Sequence, residues 1–131
     1  MSYQKLILYT DGSSKGNPGP AKAGVLIKEG NKRIFQGSFS LGVKTNNQAE
    51  YLALILGLEK ASKLKPKELV CYLDSELVVR QLNREYKVKN PDLAPLFIKV
   101  WNLSQKFDKI KFVHIKRDKN KEADKLSKKV F

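Results

Sequence analysis

The sequence predicts an α/β protein centred on a mixed five-stranded sheet, with elements in the order βββαβααβα. Three observations carry that expectation. The N-terminal alternating run is followed by two more strand-like runs joined by a break at Glu29–Lys32, which makes a three-strand meander. At Asn47 the apolar period changes from strand to helix. Two later apolar runs are separated by helices, so they must lie parallel in the same sheet, with helices flanking it.

Taken in order, Leu6, Leu8 and Thr10 alternate with Ile7, Tyr9 and Asp11, and the strand is expected to end at Asp11-Gly12. The following GSSKGNPGPAKAG is so rich in Gly, Pro, Ser and Asn that it reads as a turn. Gly24–Lys28 and Arg33–Ser40 complete the meander. Ala49, Leu52, Ala53, Leu56 and Ala61 mark a helix to about Lys63, with Thr45 or Asn46 as its N-cap. Leu69–Leu73 is a short apolar strand of the kind buried on both faces. Ser75 caps a short helix, Glu76 to Leu82, and residues 92–106 form another with Leu93, Leu96, Phe97, Val100 and Leu103 on one face. Ile110–Ile115 is the last strand and Lys121–Val130 the last helix.

The chain has 131 residues, which sets the expectation of one domain over 1–131. At 41% hydrophobic and 30% charged it has the profile of a folded chain, not a disordered one. Its longest apolar run, Leu52–Leu58, is far too short to span a membrane. The N-terminus lacks a signal-peptide layout, and the lone Cys71 allows no intrachain disulfide, so a reducing cytoplasm is the expected compartment. A monomer is expected, and Cys71 needs no role beyond packing.

Charge is the informative quantity. Twenty-six basic against thirteen acidic residues give +13, and the excess is uneven. A small basic domain either meets a polyanion or carries a lysine-rich solubility surface. The placement of the acids decides between them. Asp11 and Asp74 follow strands expected to be parallel neighbours, so both should emerge at the carboxyl edge, where open α/β sheets bind ligands. Glu50 and Asp124 are expected in the first turns of two helices near that edge. Each acid alone suits a turn or a helix dipole. Four of them together in a basic protein describe a site for hard cations beside a phosphate-binding surface, and so phosphodiester hydrolysis.

The runs YTDGSSKGNPGPAKAG, TNNQAEYLALILGLEKA, LDSELVVRQL and NKEADKLS, in that order, resemble type 1 ribonuclease H over nearly the whole chain. The resemblance implies a ribonuclease H-like fold and endonucleolytic cleavage of the RNA strand of an RNA–DNA hybrid, with two Mg²⁺ or Mn²⁺ ions. It implies Asp11, Glu50, Asp74 and Asp124 as the catalytic, metal-holding carboxylates, with 5′-phosphate and 3′-hydroxyl products. Asp11 would bridge two ions about 4 Å apart, with Glu50 and Asp74 on one and Asp124 on the other. Asn46, Asn47 and Gln48 match the family's hybrid-contacting stretch, and Gly12, Ser13 and Asn17 match positions beside the scissile RNA. Thr45 matches the position that helps bind a DNA phosphate. Asn17 and Asn46 equally suit turn and cap chemistry.

Two departures from the family pattern stand out. The basic, tryptophan-bearing helix that grips DNA in many members is missing after the Asp74 helix, so Lys87, Lys89 and the basic C-terminal segment take over that task. Trp101 falls in the next helix as a packed aromatic. The mobile loop histidine is also missing: His114 reads as a strand residue, and Arg117 occupies the loop as a phosphate contact. Lys128-Lys129 reads as a solvated helix end. Three other readings share these residues: a non-catalytic nucleic-acid-binding module, a nuclease that also cuts double-stranded RNA, and a domain detached from a reverse transcriptase or transposase. The start at Met1 and the complete element set favour a free-standing protein.

Overall fold

The computed structural model describes residues 3–128. Its sheet has five strands: β1 (Tyr3–Ser14), β2 (Gly19–Glu29), β3 (Lys32–Lys44), β4 (Pro66–Leu73) and β5 (Lys109–His114). Their spatial order is β3-β2-β1-β4-β5. The meander β1–β3 is antiparallel, and β4 and β5 run parallel to β1 because helical crossovers return the chain to the same end. The helices are α1 (Asn46–Leu64), α2 (Glu76–Leu82), α3 (Ala94–Ser104) and α4 (Lys121–Ser127). The predicted mixed five-stranded sheet with the order βββαβααβα is present, with a short 3-10 turn, Arg117–Lys119, added before α4.

Strand alternation sorts β1 into two faces. Leu6 and Leu8 join Ile27, Leu69, Cys71, Leu54, Leu58 and Val100 in the core beneath α1 and α3. Ile7, Tyr9 and Asp11 take the opposite face, on which α4 packs across β1, β2 and β3. That contact is close: a Cβ on Gly24 would stand 2.1 Å from the Ala123 carbonyl oxygen. Asp11 pairs with Gly24, so the fit of α4 over Gly24 also sets the distance from α4 to Asp11.

Several boundaries differ from expectation. Gly12–Ser14 does not turn; it extends β1 by pairing with Ala23–Ala21, and the reversal is confined to 15–18. Small residues gave a turn signal, but ladder partners on β2 hold them extended. Thr45 is the N-cap of α1, its hydroxyl accepting from Gln48 N while Gln48 Oε1 accepts from Thr45 N. Glu50 therefore sits in the second turn of α1, not the first. Lys65 ends α1 in the left-handed conformation (φ 54°), and β4 starts at once at Pro66. The third helix is Ala94–Ser104, shorter than the expected 92–106. α4 ends at Ser127; the expected continuation to Val130, with Lys129, runs outside the described residues. Trp101 is not packed as expected: it is 43% exposed, with the Arg84 guanidinium 4.2 Å from its ring centre. Residues 83–93 hold no helix, and Lys87 and Lys89 are exposed there.

Candidate active site

Asp11, Glu50 and Asp74 converge from β1, α1 and the end of β4, with one carboxylate oxygen of each within 4.8 Å of the others. The approach of α1 to β1 is what makes this possible. Gly12 has no side chain to hold the helix away, and a Cβ there would lie 2.1 Å from the Ala49 carbonyl oxygen. Gly12 N then donates to Glu50 Oε1 at 2.8 Å, fixing that carboxylate against the strand. Glu50 Oε2 is buried and has no hydrogen-bond partner among the described residues.

The other two carboxylates are oriented by residues that sequence reasoning missed. Asn120 Nδ2 donates to Asp74 Oδ2 at 2.9 Å and to the Thr10 carbonyl at 3.0 Å, so a buried amide joins β1, the end of β4 and the start of α4. Ser127 Oγ lies 2.9 Å from Asp11 Oδ2 and 2.8 Å from the Asp124 carbonyl, and it is fully buried. Ser127 follows Asp124 by one helical turn, which was the available signal; Asn120 before a helix looks like an ordinary cap.

Asp124 stands at the margin of this cluster. It is on α4, lies outside the group of three oxygens, and pairs with Lys128 Nζ at 3.1 Å. Its carboxyl still interacts with that of Asp11. Burial pushes the Asp11 carboxyl up to about 7, with the nearby Asp74 charge acting in the same direction. Burial also raises Glu50 well above the ordinary carboxylate range, reinforced by Asp11. Asp124 goes the other way: burial raises it, but the hydrogen bond with Asp11 and the charges of Lys128 and Arg117 outweigh burial and hold it down. Three crowded carboxylates, of which burial raises Asp11 and Glu50 and leaves one Glu50 oxygen without a partner among the described residues, form a donor set of hard oxygens that fits a divalent cation.

The remaining predicted residues line the approach. Gly12 is buried, its amide committed to Glu50, and Ser13 Oγ lies 3.4 Å from Ser127 Oγ. Asn17 Oδ1 accepts from Asn46 N at 2.9 Å, and Asn46 Oδ1 accepts from Ser14 N at 3.1 Å, so both amides brace the reversal against α1. Their side-chain NH₂ groups have no protein partner among the described residues. Asn47 and Gln48 are partly exposed on the first turn of α1. Arg117 is exposed in the 3-10 turn, near enough to act on Asp124. His114 is an exposed strand residue, as expected, the last of β5 and paired with Leu73 just before Asp74. Cys71 is buried in the core, and burial pushes its thiol up.

A β3-β2-β1-β4-β5 sheet with acids from β1, α1 and the end of β4 defines the ribonuclease H-like class. A family model described as reverse transcriptase-like matches residues 9–130, and the chain belongs to that family, in the compact branch of type 1 ribonuclease H. It is 38% identical over 125 residues to a bifunctional protein of Mycobacterium tuberculosis, a match covering 94% of this chain and 34% of that relative. The chain thus spans about a third of the length of that curated relative. The crystal structure of ribonuclease H1 from Halobacterium salinarum is 36% identical, covers 94% of both chains and superposes with a TM-score of 0.91. LC11 ribonuclease H1, isolated from compost and solved in complex with an RNA/DNA hybrid, is 42% identical with a TM-score of 0.89, covering 95% of this chain and 94% of that one.

Proposed function

We propose that the protein is a metal-dependent endonuclease that hydrolyses the RNA strand of RNA–DNA hybrids. The observation that carries this reading is the convergence of Asp11, Glu50 and Asp74 around the orphaned Glu50 Oε2. The likeness to a hybrid-bound ribonuclease H1 supports the substrate. Asp11, Glu50 and Asp74 would hold one Mg²⁺ (or Mn²⁺), and Asp11 with Asp124 a second. Two such ions supply a nucleophilic water at neutral pH and stabilise the leaving 3′ oxygen, which gives 5′-phosphate and 3′-hydroxyl ends.

The chain's own residues hold that donor set rigid. Gly12 N fixes Glu50, Asn120 fixes Asp74, and Ser127 fixes Asp11. The side-chain NH₂ groups of Asn17, Asn46 and Gln48 offer donors to RNA 2′-hydroxyls and base edges, and Thr45 and Arg117 offer contacts to phosphate. Lys87 and Lys89 add sequence-independent attraction for the duplex in place of a gripping helix.

The test is a panel of end-labelled substrates incubated with Mg²⁺, Mn²⁺ or a chelator: RNA–DNA hybrid, double-stranded RNA, duplex DNA and single-stranded RNA. The expected result is chelator-sensitive cutting of the RNA in the hybrid alone. Cutting of double-stranded RNA at a comparable rate would broaden the substrate. Tight hybrid binding without cleavage would make the protein a binding module.

A further inference from the structure

On the face of the sheet that carries Asp11, α4 packs over β1–β3, and among the described residues it makes no comparable contact with β4 or β5. At that boundary Tyr9 of β1 and Tyr72 of β4 stand directly opposite each other, with ring centres 5.3 Å apart and planes tilted by 30°. Both rings are partly exposed, and neither hydroxyl has a hydrogen-bond partner among the described residues. They floor a cleft of about 540 Å³ whose walls are Ile115, Lys116 and Lys119. Neither of those lysines is in an ion pair among the described residues, and both are exposed. On the other side the Lys28 ammonium lies 5.9 Å from the Tyr9 ring centre. Two acids approach the cleft: Asp118 lines the neighbouring recess, and Glu122 is matched by Lys28 and Arg33.

Buried aromatic pairs stabilise cores, but a partly exposed pair rimmed by unmatched lysines has the chemistry of a stacking platform for bases with cations for the phosphates between them. Its position selects the strand. Tyr9 precedes Asp11 by two residues on the same face of β1, about 7 Å away, and Tyr72 precedes Asp74 by two. The platform therefore adjoins the carboxylates, beside the strand they act on.

We propose that Tyr9 and Tyr72, with Lys116 and Lys119, form a docking site for unpaired RNA that continues from the RNA strand of a bound hybrid. The identity of that strand rests on the hydrolase reading above. One or two bases stack on the tyrosine pair, and the lysines take the adjoining phosphates. A stacking platform reads no sequence, so the site favours hybrids with a single-stranded RNA extension over blunt ones, whatever the extension's composition.

The experiment compares cleavage of a blunt hybrid with hybrids bearing 5′ or 3′ RNA extensions, or DNA extensions, by the wild-type protein and by Tyr9→Ile, Tyr72→Ile and the double variant. Isoleucine keeps strand propensity and removes the ring. The expected result is a KM about tenfold lower for one RNA-extended hybrid than for the blunt one, with kcat unchanged. That advantage disappears in the double variant, while blunt-hybrid kinetics stay within about twofold of wild type. Equal KM values for blunt and extended hybrids in the wild type overturn the proposal, as does an advantage that survives loss of both rings. An equal gain from DNA extensions overturns the assignment to RNA. Should no hybrid be cut, the hydrolase reading fails separately. Fluorescence anisotropy with a labelled oligouridylate then still reads the platform: binding lost in the double variant retains it, and unchanged binding removes it. Melting temperatures of all variants separate lost stacking from lost folding.

Discussion

Replacing Asp11 by Asn should make the metal-free protein more stable while abolishing the hydrolysis proposed for it. Asp11 is 4% exposed, and burial, with the Asp74 charge acting in the same direction, pushes its carboxyl from 3.8 to about 7. A group whose folded pKa lies above its unfolded value helps folding below the unfolded pKa. That help is lost as pH rises through the folded pKa. A rise of about three pH units, at about 1.36 kcal/mol each, corresponds to a cost of about 4 kcal/mol at pH 8.5 without metal. At pH 5 the same linkage amounts to less than half of that. Asparagine cannot ionise, and its carbonyl oxygen still accepts from Ser127 Oγ, so the variant avoids the cost and keeps the contact. The assay is thermal or urea unfolding with chelator present, at pH 5 and pH 8.5. The variant should gain on the order of 2–4 kcal/mol at pH 8.5 and distinctly less at pH 5. Adding Mg²⁺ or Mn²⁺ at pH 8.5 should raise the melting temperature of the wild type much more than that of the variant. A variant no more stable than wild type at pH 8.5 would refute the claim that the carboxylates are crowded against their own charge.

Asn120→Ala removes the donor shared by Asp74 and the Thr10 carbonyl, so unfolding should cost about 1–3 kcal/mol less and kcat on a hybrid should fall with little change in KM; denaturation and steady-state kinetics check both. Gly12→Ala places a Cβ against the Ala49 carbonyl and must push α1 off β1. It should destabilise by several kcal/mol and reduce activity severely, read by melting temperature and cleavage rate. His114→Ala should change turnover by less than about tenfold, because His114 ends β5 and no mobile loop carries it. Arg117→Ala should raise KM and leave kcat nearly intact, as a phosphate contact on the 3-10 turn would.

The element order was legible because its signals are local. The Leu- and Ala-rich run of α1, the Thr45 cap and the apolar Leu69–Leu73 segment each specify their own conformation. The end of β1 was not legible. Gly12, Ser13 and Ser14 have poor strand propensity and are held extended by Ala23, Lys22 and Ala21, which the sequence places across a Gly- and Pro-rich reversal. The carboxylates Asp11, Glu50 and Asp74 were readable from their motifs, and the structure brings all three together. Their supports were not readable, since Asn120 acts on partners 46 and 110 positions away and Ser127 on one 116 away. Trp101 misled for a related reason: only the folded chain shows that Arg84 covers its ring at the surface.

Cations held by Asp11, Glu50 and Asp74 would activate water for attack on the phosphodiester, and the product ends report this most directly. A hybrid with 5′-labelled RNA should be cleaved in Mg²⁺ or Mn²⁺, with loss of cutting on chelation, and the products should carry 3′-hydroxyl and 5′-phosphate ends. Products ending in 2′,3′-cyclic phosphate, formed equally well with chelator present, would show that the RNA's own 2′-hydroxyl is the nucleophile and would contradict the account.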